Sequence, residues 1–115
     1  MEAAPDRKLT TILSADVAGY SRLMEQDEAG TLSRLKAHRA AFAERIAAHR
    51  GRLVSTSGDA LLAEFTSVVN AVDCAVQAQR EFAERNDALR PAERMAFRIG
   101  INLGDVMVEG ADPVW

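Results

Sequence analysis

Residues 55–65, STSGDALLAEF, decide how the fold is read. Two short apolar or β-prone segments, RLVSTS at 52–57 and ALLAEF at 60–65, flank Gly58-Asp59, a dipeptide of the kind that closes two-residue hairpins. The pattern predicts two antiparallel strands with a carboxylate, Asp59, at the tip of the turn between them. A charged side chain at a turn tip is either a plain turn residue or half of a site, and the rest of the chain has to decide between the two.

Upstream, residues 1–7 are polar, carry Pro5, and read as a loose lead-in. KLTTILSAD at 8–16 is rich in β-branched residues and leucine and predicts a mostly buried strand ending near Asp16. VAGYS at 17–21 is a turn. From Asp27 to Arg50 the composition favours a long helix, with Leu32, Leu35, Phe42 and Ile46 spaced to share a face, and Gly51 following Arg50 where a helix C-terminal glycine belongs. Downstream of the hairpin, Thr66 or Ser67 can cap a second helix running to about residue 87. Its expected apolar stripe is Val68, Val72, Ala75, Val76, Gln79 and Phe82 or Ala83.

ALRPAER then reads as a loop. In MAFRIGINL at 95–103, Met95, Phe97, Ile99, Ile101 and Leu103 alternate with Ala96, Arg98, Gly100 and Asn102, the period of a strand with one buried face. A second Gly-Asp pair, Gly104-Asp105, predicts another turn before a strand at VMVE. The order β, α, β, β, α, β, β implies an α+β fold, a ferredoxin-like antiparallel sheet with helices packed on one face, spanning residues 8–115 as one domain.

With 115 residues, 48% of them hydrophobic, the chain has the size and core of one domain. A net charge of −3 without long blocks of either sign gives no footprint for nucleic acid or an anionic membrane, so a polyanionic ligand would need metal ions as intermediaries. Cys74 stands alone and forms no internal disulfide, no apolar run approaches the roughly 20 residues of a membrane span, and MEAAPDRKLT lacks a signal-peptide core. A cytoplasmic, reduced protein is expected.

Asp16 leaves the first strand and Asp59 sits between the second and third. If those strands neighbour one another, the two carboxylates converge on one edge and can share divalent cations, which favour oxygen ligands and fill their shells with water and substrate phosphate. Asp is also common wherever chains reverse, so turn residues remain the alternative, and Asp105 has the same Gly-Asp setting with no evident partner. The N–H groups of Ala18, Gly19, Tyr20 and Ser21 form a candidate phosphate nest. His38 and His49 are eleven positions apart on one helix, about 16 Å along its axis, too far to chelate one ion, and are expected to be solvated or half-buried. Cys74 is expected at the core edge. No Ser/His/Asp or Cys/His set can be assembled.

LSADVAGYSRLME at 13–25, GRLVSTSGDALLAEF at 51–65 and FRIGINLGDVMVEG at 97–110, in this order, resemble the class III nucleotide cyclase catalytic domain. The resemblance runs from about Lys8 onward. It implies that Asp16 and Asp59 bind two Mg²⁺ or Mn²⁺ ions with help from the Val17 backbone carbonyl, and that the amides of Ala18, Gly19, Tyr20 and Ser21 face a triphosphate. The implied reaction converts a nucleoside triphosphate, ATP before GTP, into a 3',5'-cyclic monophosphate and pyrophosphate at the interface of a head-to-tail homodimer.

Two departures qualify this. Adenylyl cyclases usually carry a base-contacting lysine four residues before the hairpin aspartate, and Ser55 stands there; a hydroxyl can still hydrogen-bond a base, without the charge or reach. Asp112 is the candidate for the partner's base-reading aspartate. The family's later block, bearing an asparagine and an arginine, does not fall within the 115 residues, so turnover by this chain alone is not expected, and exposed apolar sheet surface is. The competing readings are a cyclase-like dimerisation or regulatory module without turnover, and an α+β domain for some other small ligand in which both aspartates merely turn the chain.

Overall fold

The structure, a computed structural model, describes the backbone of residues 6–109 and 112–114, and side chains from residue 9 to 104. Residues 1–5 of the expected lead-in and Trp115 lie outside the described residues. The elements are β1 (Asp6–Val17), α1 (Tyr20–Gln26), α2 (Glu28–Ala48), β2 (Arg52–Ser57), β3 (Ala60–Phe65), α3 (Val68–Asp87), a short 3-10 turn (Pro91–Glu93), β4 (Phe97–Glu109) and β5 (Asp112–Val114). β1 therefore begins at Asp6, inside the stretch expected to be a lead-in.

The strands form one sheet in the order β2-β3-β1-β4-β5, every neighbouring pair antiparallel. This is the expected α+β architecture. Alternation along β1 decides which face is which. Leu13, Ala15 and Val17 are buried among Leu61, Ala63 and Phe65 of β3 and Phe97 of β4, together with Leu35, Phe42 and Ile46 of α2 and Ala71, Cys74, Ala78 and Phe82 of α3. Both long helices thus lie on one face of the sheet. The intervening residues of the strands, Ser14, Asp16, Arg98 and Gly100 among them, belong to the opposite face.

The helix faces differ from the sequence reading in one systematic way. Leu32 is 46% exposed, and the core line of α2 runs through Thr31, Leu35, His38, Ala41, Phe42 and Ile46. In α3 the buried residues are Ala71, Cys74, Ala78 and Phe82, whereas Val68, Val72 and Val76 are exposed. The stripe of valines is the larger apolar set, but a helix lying close on a sheet needs small side chains at the contact, and alanine and cysteine supply them. Leu9, Val69 and Leu103 are also exposed.

Two glycines have jobs other than those expected. Gly104-Asp105 does not turn the chain: β4 continues through it, with Thr10 opposite Gly104 and Leu9 opposite Asp105, and the reversal comes after Glu109, which pairs with Asp112. A methyl group on Gly104 would meet Ile12 Cδ1 at 2.1 Å, so this glycine makes room for a neighbouring side chain. At the end of α2 the left-handed residue is Arg50, with φ 61°, and not Gly51. The N–H of Gly51 bonds to the Ile46 carbonyl at 2.8 Å and that of Arg50 to the Ala47 carbonyl at 3.1 Å, the paired bonds of a Schellman ending. Gly51 is needed for space, because a Cβ there would lie 2.4 Å from the Phe65 ring.

His38 is 3% exposed, against the expectation of a solvated or half-buried residue. Its ring meets Phe82 edge-on at 5.6 Å and Phe97 at 6.0 Å, inside an aromatic cluster in which Phe82 stacks on Phe97 at 4.5 Å. Among the described residues no helix is long and apolar enough to cross a membrane.

Candidate functional site on the uncovered face of the sheet

Asp16, on the open face near the end of β1, lies directly opposite Arg98 of β4. The guanidinium holds the carboxylate with both prongs, Nε to Oδ1 at 2.7 Å and Nη2 to Oδ2 at 3.0 Å. The hydrogen bond that Arg98 donates to Asp16, then the charge of Asp16, and more weakly the charge of Asp59, raise the pKa of Arg98, so the residue stays cationic.

One residue further on, the backbone N–H of Val17 donates to Asp59 Oδ2 at 2.9 Å across 42 positions of sequence. Asp59 stands in the β2–β3 turn after Gly58, whose φ of +58° is cheap only for glycine. The turn is tied from the helix side as well, because Arg39 of α2 donates through Nη2 to the Gly58 carbonyl. Pairing of β3 with β1 therefore brings the hairpin tip to the end of β1, and the two aspartates flank one backbone position, Val17.

Beside this rim lies a concavity of about 430 Å³, lined by Ser14, Asp16, Ser55, Ser57, Arg98 and Gly100 among others. A register shift between Leu53 and Ser55 explains why two serines of β2 face it. Leu53 pairs with Ala63 of the buried face, yet Ser55 pairs with Leu62 of the open face, so the extra residue, Val54, re-aims the strand. Ser55 thereby shares the concavity with Asp16.

The turn after β1 is only partly available as an anion nest. The N–H of Ala18 bonds to the Ala96 carbonyl at 2.8 Å and is not free. Gly19, with φ 66°, precedes α1, and the amides of Tyr20 and Ser21 open its first turn, where helix geometry provides no internal acceptors. A Cβ on Gly19 would come within 3.1 Å of Arg22 Nη2, so a guanidinium also lies against this turn.

Other candidates fall away from the site. His49 is the C-cap residue of α2, with Nδ1 2.7 Å from the Arg45 carbonyl. Cys74 is fully buried, and burial pushes its thiol up to about 11, which leaves no nucleophile. The backbone of Asp112 pairs with Glu109 on β5; its side chain lies outside the described residues.

Three residues of the site escaped the sequence reading: Arg98, Arg39 and Arg22. Arg98 was visible only as a polar residue in an alternating strand, and its role follows from a cross-strand register that alternation does not specify. Among the described residues no group of three or more His, Cys, Asp or Glu could hold a metal ion. Two carboxylates beside a backbone carbonyl make a hard, all-oxygen donor set, which suits Mg²⁺ or Mn²⁺ when water and substrate oxygens complete the shell, and does not suit a thiophilic metal.

The sequence model for the adenylate and guanylate cyclase catalytic domain matches residues 3–112. A protein of Rhizobium meliloti (strain 1021) named "Putative adenylate cyclase 3" is 44% identical over 107 residues, 92% of this chain and 18% of that protein. An adenylate/guanylate cyclase/hydrolase from Silicibacter pomeroyi superposes with a TM-score of 0.83 at 40% identity, over 97% of this chain and 66% of that one. The guanylyl cyclase Cya2 superposes with a TM-score of 0.77 at 24% identity, over 96% and 64%, a likeness of fold. The chain thus spans less than a fifth of the curated relative and about two thirds of these solved structures. With the matched segment covering nearly all its residues, the chain belongs to the adenylate and guanylate cyclase catalytic domain family.

Proposed function

We propose that this chain carries the metal- and phosphate-binding half of a cyclase active site, acting on a nucleoside triphosphate, ATP before GTP. The reaction forms a bond between the ribose 3'-oxygen and the α-phosphorus and breaks the α–β phosphoanhydride, giving a 3',5'-cyclic monophosphate, pyrophosphate and a proton. The observation that carries this reading is the hydrogen bond from Val17 N–H to Asp59, which joins the hairpin carboxylate to the strand end that bears Asp16.

In this reading Asp16, Asp59 and the Val17 carbonyl hold two Mg²⁺ or Mn²⁺ ions. Such ions, when bound, lower the pKa of the 3'-hydroxyl and offset the charge of the phosphates. The chain's own contribution is positional. Amides of Gly19, Tyr20 and Ser21, with Arg22 and Arg98 as positive charge, face the triphosphate, while Ala18 is excluded by its bond to Ala96. Ser55 offers a hydroxyl to the base, and Asp112 would serve from a second copy.

The open geometry supports reading the working unit as a homodimer. Ser14, Ser55, Ser57 and Gly100 form one wall of the concavity, and a second copy would supply the other, excluding water from the reacting groups. Such an assembly is expected in the cytoplasm, where the nucleotide pool lies.

The test is binding of a non-hydrolysable ATP analogue with Mn²⁺ to the wild type, to Asp16→Ala and to Asp59→Ala. Loss of binding in both variants supports the site, and equal binding in all three proteins ends the proposal. A second reading, a cyclase-like dimerisation or regulatory module, is favoured by Ser55 in place of a base-contacting lysine and by the engagement of Asp16 with Arg98. Turnover assays on this chain and on any longer form of the gene separate the two.

A further inference from the structure

The two carboxylates of the site are not in equivalent states. Asp59 is held through Oδ2 alone by a backbone N–H, so Oδ1 carries no bond from that donor. Asp16 has both oxygens in the fork of Arg98, a cation presented from the directly opposed position of the adjacent strand. We infer that Arg98 is a built-in competitor for the divalent cation at Asp16, a resident positive charge that must leave the carboxylate before the ion can engage it.

This inference rests on the reading of Asp16 as a metal ligand and adds a cost to that role. A guanidinium within 3 Å uses the lone pairs that a small hard cation needs and repels a second positive charge. The competition is nevertheless weak enough to be reversible. The two side chains are 69% and 41% exposed, so solvent screens the pair, and exposed pairs shift equilibria by about two- to fivefold. Arg98 therefore acts as a threshold on cation binding, while Asp59 offers an oxygen without rearrangement. An arginine performs this better than a lysine, because a planar fork covers both carboxylate oxygens at once.

The experiment is titration of Mn²⁺ alone, without nucleotide, into wild type, Arg98→Gln, Arg98→Lys and Asp16→Asn, followed by calorimetry or by the electron paramagnetic resonance signal of free Mn²⁺. The expected order is Arg98→Gln tighter than wild type by about two- to fivefold, Arg98→Lys between them, and Asp16→Asn weaker than all. Thermal melts report whether each variant is folded, and the lysine variant keeps the comparison open should the glutamine variant not fold. If Asp16→Asn weakens binding while both Arg98 variants match the wild type or bind less tightly, Arg98 is a structural cross-strand partner and only this inference falls. If Asp16→Asn binds as the wild type does, Asp16 is no ligand, and both this inference and the proposed site fall.

Discussion

Asp59 accepts a hydrogen bond from the backbone N–H of Val17 at 2.9 Å, and this contact ties the tip of the β2–β3 hairpin to the end of the central strand β1. It gives the carboxylate two separable duties. One is to close a long-range bond, and the other is to present negative charge to a cation.

Asparagine separates those duties, since its amide oxygen can still accept from Val17. Asp59→Ala is expected to lower stability by about 0.5–1.5 kcal/mol, and Asp59→Asn by less. Both should lose Mn²⁺ affinity to a similar extent. Urea melts and metal titrations of the two variants check this, and equal stability losses would show that the hydrogen bond is not what holds the hairpin.

Arg39 approaches the same hairpin from the other side, donating to the Gly58 carbonyl from α2. Arg39→Ala should weaken Mn²⁺ binding about two- to fivefold, because the turn that positions Asp59 loosens. The global melting point should hardly move, as for most substitutions of surface side chains. A large drop in melting temperature with unchanged metal affinity would assign Arg39 to the fold instead.

His38 gives the protein a pH dependence independent of the site. Burial, then the positive charges of Arg85 from α3 and Arg34 from its own helix, lower its pKa in the folded state, and among the described residues its Nδ1 has no hydrogen-bond partner. The folded pKa lies below the unfolded one, so the unfolded chain takes up the proton first. Stability is therefore full above the unfolded pKa, about 6.5, and falls as pH drops toward the folded value. Chemical denaturation between pH 7.5 and 5 should show a slope of up to about 1.4 kcal/mol per pH unit that His38→Leu removes. Parallel curves for the two proteins would contradict the assignment.

The end of α2 offers a stabilising change and a destabilising one at adjacent positions. Arg50 holds a left-handed φ of 61° that glycine adopts without steric cost, so Arg50→Gly should stabilise by about 0.5–1 kcal/mol. Gly51→Ala drives a methyl group into the Phe65 ring and should cost about 1–3 kcal/mol. Opposite signs in thermal melts of the two variants are the expected outcome. The pair inverts the assignment that the sequence suggests, in which Gly51 is the helix-ending residue.

Local pattern determined much of this protein. The strands around Gly58-Asp59, the exit of β1 near Asp16, the long helices with Thr66 or Ser67 as the cap of α3, and a strand at 95–103 were all readable, because period, caps and turn glycines act within a few residues; the structure chose Ser67 as the cap and Phe97 as the strand's first residue. Tertiary structure alone decided the rest. Cross-strand register set Arg98 against Asp16, and the same pairing carried β4 straight through Gly104-Asp105. The Val54 bulge turned Ser55 to the open face, and close helix-on-sheet packing chose the small residues of α3 over its valines. Each of those outcomes depends on which distant segment lies alongside, a free energy shared between partners that neither segment encodes by itself.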